Sequence, residues 1–232
     1  MESCSSCTYV GCIFTHDADL KNATKEQCSR KMCHVIKFEA FIKKNRNTPF
    51  KDKEKVWSAA PVSSILYDIE FWLGLAVIET ANAMYMRSVR KLLGVRKTTA
   101  GDLFLIEAGL PLLVNKAKSI QKKTLEKFID KTSDLTDDPL MFTLEKCRTA
   151  NTPCARYTRS LDQHDYNHED QILKLKARTS TRTKYHTYCN LMNPELKRHE
   201  MYADLNVKEN ARLKTTKICL SSHNFAIELD DG

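Results

Sequence analysis

The chain contains little glycine and little proline, and it lacks a long apolar segment. Only six of its 232 residues are glycine and six are proline, which argues against a β-sandwich, a collagen-like chain or a low-complexity linker. The uncharged stretch at residues 56–67 contains serine and proline and is too short to span a bilayer. The chain begins MESCSSC, with an acid and no apolar signal sequence. We therefore expect an intracellular protein, nuclear or cytoplasmic, that does not bind a membrane.

Nine cysteines raise the question of a metal site. Cys4 and Cys7 form one C-x-x-C pair, but the next candidates, Cys28 and Cys33-His34, lie on a predicted helix and match no standard zinc-finger spacing. An odd number of cysteines also argues against a complete disulfide framework. We expect free thiols in a reducing compartment and no bound metal.

Positive charge is the main compositional signal. Lys and Arg total 37 against 29 Asp and Glu, which gives a net charge of +8. Residues 87–97 hold five basic side chains and no acidic one, and a Thr-Thr pair follows them. Basic side chains and backbone N–H groups at a helix end are typical phosphate contacts in nucleic-acid-binding proteins. The candidate nucleic-acid-binding residues are Arg87, Arg90, Lys91, Arg96, Lys97, Thr98, Thr99, Lys43 and Lys44.

Each basic cluster also has a plain structural interpretation. Lys43 and Lys44 end a predicted helix, where cations interact favourably with the helix dipole. A further group of cations within residues 174–184 is equally compatible with an ordinary solvated face. Tyr85 belongs to the apolar stripe of its helix, so we expect it in the core rather than stacked on a base. At this point both binding and a solvated surface stay open.

Hydrophobic periodicity predicts a mostly helical protein with one short N-terminal β-strand at residues 8–15. That strand has no evident partner, which suggests a sheet partner outside the chain. Helices are expected at residues 21–45, from Pro49 to a kink or break at Pro61, at 77–93 before Gly94, and at 112–130. Shorter helical patterns follow a linker-like segment at 134–139. The predicted domains are 1–20 (strand and turn), 21–133 (a helical bundle) and 134–232 (a smaller helical region).

Five blocks, in order, resemble the reverse transcriptase of non-LTR (LINE-type) retrotransposons, in the region that follows its catalytic palm. Residues 9–17 (YVGCIFTHD) resemble the family's primer-grip strand and turn, and 45–50 (NRNTPF) with 63–74 (SSILYDIEFWLG) resemble its thumb helices. The most specific block is 91–99 (KLLGVRKTT), which is close to the family's LLGVRKST. Residues 107–112 (EAGLPL) and 220–228 (LSSHNFAIE) match its E-x-G-x-P-L and LSSH boxes. The chain departs from the family at Ala18 and Asp68, where glycine is usual, and at Pro61, which interrupts a normally continuous helix.

The resemblance implies a thumb-like bundle, with Tyr9 and Gly11 in a primer-grip-like strand and residues 134–232 as a connecting region. It implies RNA, DNA or an RNA–DNA hybrid as partner. In this family the magnesium-binding carboxylates of the palm precede the primer grip, and only eight residues precede Tyr9. We therefore expect no catalytic or metal-binding residue in this chain, inactivity alone, and Mg²⁺ only where a palm-containing polymerase chain supplies it. Residues 201–205 (MYADL) resemble the family's YADD box, but Leu205 replaces its second Asp.

Three other functions stay open at this point. The departures at Ala18, Asp68 and Pro61 favour a transposon relic without activity. A recruited protein-interaction module would use the surface that faces the palm in the family. An enzyme acting with a separately encoded palm requires a partner chain. The intact KLLGVRKTT block favours nucleic-acid binding over these alternatives.

Overall fold

The protein is described by a computed structural model that covers residues 5–9, 12–15, 20–69, 75–132, 159, 172–173, 175–177 and 183–220. The prediction of a mostly helical chain is confirmed. Two π-helical turns, Ser58–Val62 and Tyr188–Met192, and a 3-10 turn, Glu200–Tyr202, supplement the α-helices. The α-helices are α1 (Leu20–Lys44), α2 (Phe50–Trp57), α3 (Ser63–Leu66), α4 (Leu75–Leu93), α5 (Gly101–Ala108), α6 (Leu113–Thr132), α7 (Thr183–Thr187) and α8 (Glu209–Cys219).

The N-terminal β-structure is a hairpin. Strands β1 (Ser6–Tyr9) and β2 (Cys12–Thr15) pair antiparallel, with Ser6 opposite Thr15 and Tyr9 opposite Cys12. Short N-terminal β-structure is thus confirmed, but the prediction of one strand with its partner outside the chain is wrong. Two residues separate the strands, which is the commonest connection length in hairpins. The β-branched and aromatic residues on both sides of this connection form two strands that pair with each other.

The helix boundaries follow the sequence pattern with two informative differences. The irregularity predicted at Pro61 is a π-helical turn, Ser58–Val62, that leads into α3. Because proline has no N–H to donate, the regular α-helical hydrogen bond is missing at this position. The backbone widens into a π-helical turn here and continues as a helix beyond it. Pro49 precedes α2 as its N-cap instead of forming its first residue. The sequence pattern also missed α5, whose residues 103–108 are all buried, so that no polar face marks its period.

Contacts divide the chain into two units. The first, the hairpin unit, comprises Met1–Cys33, Ser63–Met84 and Leu112–Asn167. Within it, Gln27 donates a hydrogen bond to the Asp68 carboxylate and Gln121 donates one to the carbonyl of Ile69 (2.6 Å). Asp68 has φ 60°, a left-handed conformation that favours glycine.

The second, the pocket unit, comprises His34–Val62, Tyr85–Pro111 and His168–Gly232. Its core includes Trp57, which packs against Tyr85 with ring centroids 5.6 Å apart and donates its indole N–H to Ser88 Oγ at 2.8 Å. The units interleave in sequence, whereas the predicted domains are consecutive. The predicted boundary at 133/134 lies outside the described residues.

A buried ionic cluster, Lys53, Glu209 and Arg212, lies in the pocket unit. Lys53 Nζ is 2.8 Å from Glu209 Oε1, and the Arg212 guanidinium donates to both oxygens of the same carboxylate at 2.6 and 2.8 Å. Arg212 also lies over the rings of Phe50 and Tyr202, at 4.6 and 5.5 Å from their centroids. This cluster ties α2 to α8 within the unit.

No helix within the described ranges is both long enough and apolar enough to cross a membrane.

Candidate nucleic-acid interface

Gly94 terminates helix α4 at its carboxyl end. This residue has φ 69°, and the N–H of Val95 bonds to the carbonyl of Arg90 at 3.1 Å, which is the six-to-one bond of a Schellman helix end. A Cβ at position 94 would lie 2.6 Å from Leu213 Cδ2. Conformation and space therefore both favour glycine in the KLLGVRKTT block.

A tight turn follows the helix end. The N–H of Thr99 bonds to the carbonyl of Arg96 at 3.2 Å, which places Lys97 and Thr98 at the two central positions of the turn. Arg96, Lys97 and Thr98 are exposed, whereas Thr99 is buried. Of the two predicted threonine contacts, only the Thr98 side chain lies on the surface.

These elements form what we call the basic pocket, a cavity of about 770 Å³. This volume falls in the range of about 300–1,000 Å³ that is common for small-molecule sites. The pocket brings together five of the predicted residues from α4 and the turn with one carboxylate, a net charge of +4. Its lining residues are Glu39, Arg87, Arg90, Lys91, Gly94, Val95, Arg96 and Lys97.

Arg90 forms the partly buried side of the pocket. Its guanidinium lies over the Phe104 ring, 5.2 Å from the centroid, a cation–π geometry. Burial lowers the pKa of Arg90 from its ordinary value, yet an arginine remains charged at neutral pH. Its Nε is buried and has no hydrogen-bond partner among the described residues.

Arg87 and Glu39 form a bidentate ion pair at the pocket. Arg87 Nε lies 2.7 Å from Glu39 Oε1, and Nη2 lies 2.8 Å from Oε2. The hydrogen bonds from Arg87 are the main reason that the pKa of Glu39 is lowered, and the charges of Lys91 and Lys97 add to the effect. The carboxylate is therefore ionised at neutral pH and lies within the field of the pocket's cations.

Two further predicted residues, Lys43 and Lys44, are not among the described residues that line this pocket. Lys43 and Lys44 are exposed in the last turn of α1. Tyr9 ends β1, and Gly11 lies outside the described residues. In the third basic cluster, Lys176 is exposed and Lys184 is half-buried, and the other members lie outside the described ranges.

Tyr85 is a core residue, as the sequence predicts. Its side chain is buried against Trp57, and its hydroxyl donates to the carbonyl of Pro111 at 2.9 Å. Burial raises the pKa of the phenol. With its ring covered and its hydroxyl bonded, Tyr85 does not offer a stacking surface to a base.

Glu107, from the E-x-G-x-P-L block, is buried in a neutral hydrogen-bond network. Its Oε2 accepts from the Tyr188 hydroxyl at 2.6 Å and from Asn193 Nδ2 at 3.4 Å. Its Oε1 is buried without a hydrogen-bond partner among the described residues. Burial raises the pKa of Glu107, and the hydrogen bond from Tyr188 opposes that rise. The network joins α5 to the turn Tyr188–Met192 and thus has a structural role.

The YADD-like residues have local structural roles. Met201 and Tyr202 are buried, and Asp204 Oδ1 accepts from the N–H of Asn206 at 2.8 Å. Within the described part of the chain, no group of three or more His, Cys, Asp or Glu side chains is arranged to hold a metal ion. Cys4 lies outside that part. Among the described residues, five cysteines are free thiols: Cys7, Cys28, Cys33, Cys189 and Cys219.

Two residues of the site were missed from the sequence. Glu39 stands 48 residues before Arg87, and no motif or spacing links the two. Phe104 belongs to the buried helix α5. The apolar residues of this helix predict that it is buried, but they do not predict which cation the Phe104 ring faces. Only the packing of the helices brings these two residues to the basic cluster.

Comparison of the chain with family models, curated proteins and solved structures finds no match.

Proposed function

We propose that this chain is a nucleic-acid-binding domain derived from a non-LTR retrotransposon reverse transcriptase, and that its basic pocket binds backbone phosphates. The observation that carries the proposal is the pocket itself. Five cations from one helix end and the following turn line a single cavity with one carboxylate. A phosphate in such a cavity gains attraction from several cations at once and releases counterions on binding.

The position of the cations alone is a weaker argument. Arg90 and Lys91 lie in the last turn of α4, where any cation interacts favourably with the helix dipole. That interaction does not account for Arg96 and Lys97, which follow the helix. Their exposure beyond Gly94 supports a role toward a ligand.

Two local features support the proposed ancestry. The KLLGVRKTT block forms the helix end and the turn that line the pocket. Asp68, which stands where the resembled family has glycine, adopts the left-handed φ of 60° that glycine adopts readily.

In this proposal the partner is RNA, DNA or an RNA–DNA hybrid, bound inside the cell in the nucleus or the cytoplasm. The proposal assigns binding, and no chemical step, to the described residues. Nucleotide transfer would require Mg²⁺ and the carboxylates of a palm, which a separate polymerase chain would supply in trans.

A fluorescence-anisotropy titration tests the proposal. The purified chain is titrated against a labelled RNA–DNA hybrid at about 50 and about 200 mM salt. The variant R96A/K97A removes two exposed cations of the pocket. The matched control, K123A/K127A, removes two exposed lysines of α6, which do not line the pocket.

We expect binding by the wild type that weakens steeply with salt. R96A/K97A should weaken it about tenfold and reduce the slope of log affinity against log salt by about 2, since each phosphate contact contributes about 1. K123A/K127A should have a much smaller effect. Equal effects of both variants would show that the hybrid binds to a diffuse positive surface of which the pocket is only one part.

Absence of binding by a cooperatively melting wild type would contradict the proposal. That outcome would favour the protein-interaction module, for which Leu173 and Leu191, 70% and 74% exposed, are candidate contacts. Absence of both binding and cooperative melting would favour the relic.

A further inference from the structure

The carboxylate in the basic pocket occupies the donors that a phosphate would use. Glu39 accepts from Nε and Nη2 of Arg87 at 2.7 and 2.8 Å. Arginine presents this same two-donor edge to phosphate oxygens. The Arg87 side chain is 48% exposed, so a ligand has access to it, and Glu39 is 17% exposed.

Glu39 is also the only acidic residue among the described residues that line the pocket. The charges of Lys91 and Lys97 act on its carboxylate in addition to that of Arg87. The Glu39 carboxylate therefore already neutralises part of the positive potential that would attract a phosphate.

We propose that Glu39 is an internal competitor for phosphate, and that a bound nucleic-acid phosphate replaces the Glu39 carboxylate on Arg87. This inference rests on the proposed function, because it concerns the same pocket. In this inference, Glu39 lowers the affinity of the pocket for phosphate. The other cations of the pocket are the first to contact an incoming phosphate. Removal of the competing charge should therefore tighten binding, although Glu39 itself contacts no ligand.

The test compares E39Q with a matched control in the same hybrid titration. Glutamine preserves the size of the side chain and can still accept from Arg87, but it carries no charge. The control is E54Q. Glu54 forms a similar bidentate pair with Arg198, at 2.9 Å for both contacts, with side chains 22% and 34% exposed. Glu54 belongs to the same unit and does not line the pocket.

We expect E39Q to lower the Kd for the hybrid by about three- to tenfold at about 50 mM salt, with a smaller gain at about 200 mM. E54Q should change it by less than about twofold. Equal tightening by both variants would assign the effect to net charge and overturn the inference. Unchanged or weaker binding by E39Q would also overturn it, since Glu39 would then position Arg87 for the ligand.

A second comparison distinguishes replacement on Arg87 from simple repulsion. R87A is introduced into both the wild type and E39Q. If phosphate replaces Glu39 on Arg87, the loss of affinity caused by R87A should be larger in the E39Q background, where Arg87 is not held by a carboxylate. Equal losses would show repulsion without replacement and would contradict the proposal.

The two proposals fail in different ways. If neither the wild type nor E39Q binds the hybrid while both melt cooperatively, the proposed function fails and the inference fails with it. If the wild type binds and E39Q binds no tighter, only the inference about Glu39 fails.

Discussion

The pocket unit uses the same three residue types in two regions with opposite environments. In the buried ionic cluster, Lys53 and Arg212 share the Glu209 carboxylate, and all three side chains are less than 5% exposed. In the basic pocket, Arg87 and Glu39 make an equally short bidentate pair that is partly open to solvent. Distances alone do not separate the two regions, but burial does.

Burial determines what each region can do. An unpaired charge in a dry interior is costly, so the buried cluster functions only as a complete set that joins helices. A solvated ion pair contributes little to stability, because water and salt screen both charges. The basic pocket can therefore exchange one partner for another, and this property is required of a site that binds and releases an anion.

The largest predicted effect on stability comes from a substitution that disrupts the buried ionic cluster. E209A should lower the free energy of unfolding by about 3–5 kcal/mol, because it leaves Lys53 and Arg212 buried without their shared carboxylate. Urea denaturation of the purified variant measures the loss. E39Q neutralises the carboxylate of the exposed pair and serves as the matched comparison, with an expected loss below about 1 kcal/mol.

A loss of less than about 1 kcal/mol for E209A would show that the cluster contributes little. A loss for E39Q as large as that for E209A would remove the distinction between the two regions.

A second, smaller effect concerns a buried acid whose direct hydrogen-bond partners are neutral. The pKa of Glu107 is raised above its ordinary value of 4.5, because burial disfavours the charged form. As pH rises above 4.5, the unfolded chain loses its proton while the folded chain retains it, so the contribution of Glu107 to stability falls until pH passes the folded pKa. Each unit of pKa difference corresponds to about 1.4 kcal/mol.

E107Q keeps a neutral side chain at every pH and should therefore gain stability relative to the wild type as pH rises from about 4 to about 7. Urea midpoints of both proteins across this range provide the measurement. A stability difference that does not change with pH would contradict the buried, proton-retaining environment of Glu107.

The smallest effect concerns the backbone of the basic pocket. G94A should lower the free energy of unfolding by about 1 kcal/mol, since position 94 has φ 69° and an L-residue is strained there. The new Cβ would also meet Leu213 Cδ2, the flexible end of a side chain. Thermal melting measures the change, and the hybrid titration should show weaker binding because the turn that carries Arg96 and Lys97 shifts.

G94N separates the two causes of the G94A effect. Asparagine tolerates the left-handed conformation better than alanine does but carries the same Cβ. A smaller loss for G94N would assign the cost to backbone strain, and equal losses would assign it to the contact with Leu213. An unchanged G94A protein would contradict the helix end described for α4.

The amphipathic elements could be predicted from the sequence, and the helix that is buried on all sides could not. Helices α1, α4 and α6 begin and end within about two residues of the boundaries that periodicity, Gly94 and Pro111 predict. Helix α5 has no polar face along residues 103–108, so it lacks the alternation on which that prediction depends. The sequence predicts one strand in place of the hairpin, because periodicity does not show where a strand turns back on itself.

The candidate site was predictable where its residues are close in sequence. Arg87, Arg90, Lys91, Arg96 and Lys97 lie within eleven residues, and the structure places all five around one cavity. Glu39 reaches them only through the packing of α1 against α4 within the pocket unit. Thr99 shows the reverse case, because it directly follows three exposed residues in sequence and is nevertheless buried.

The buried ionic cluster also bears on how the chain folds during synthesis. Lys53 and Glu209 are 156 residues apart in sequence, a separation that a ribosome producing about 5–20 residues per second covers in about 8–30 s. During that interval α2 has left the ribosome while the carboxylate that pairs with Lys53 has yet to be made. Long-range contacts of this kind slow folding and prolong the exposure of apolar surface. Trp57, on the same helix, can form its hydrogen bond only after Ser88 has been synthesised, and Lys53 can form its ion pair only after α8 has been synthesised.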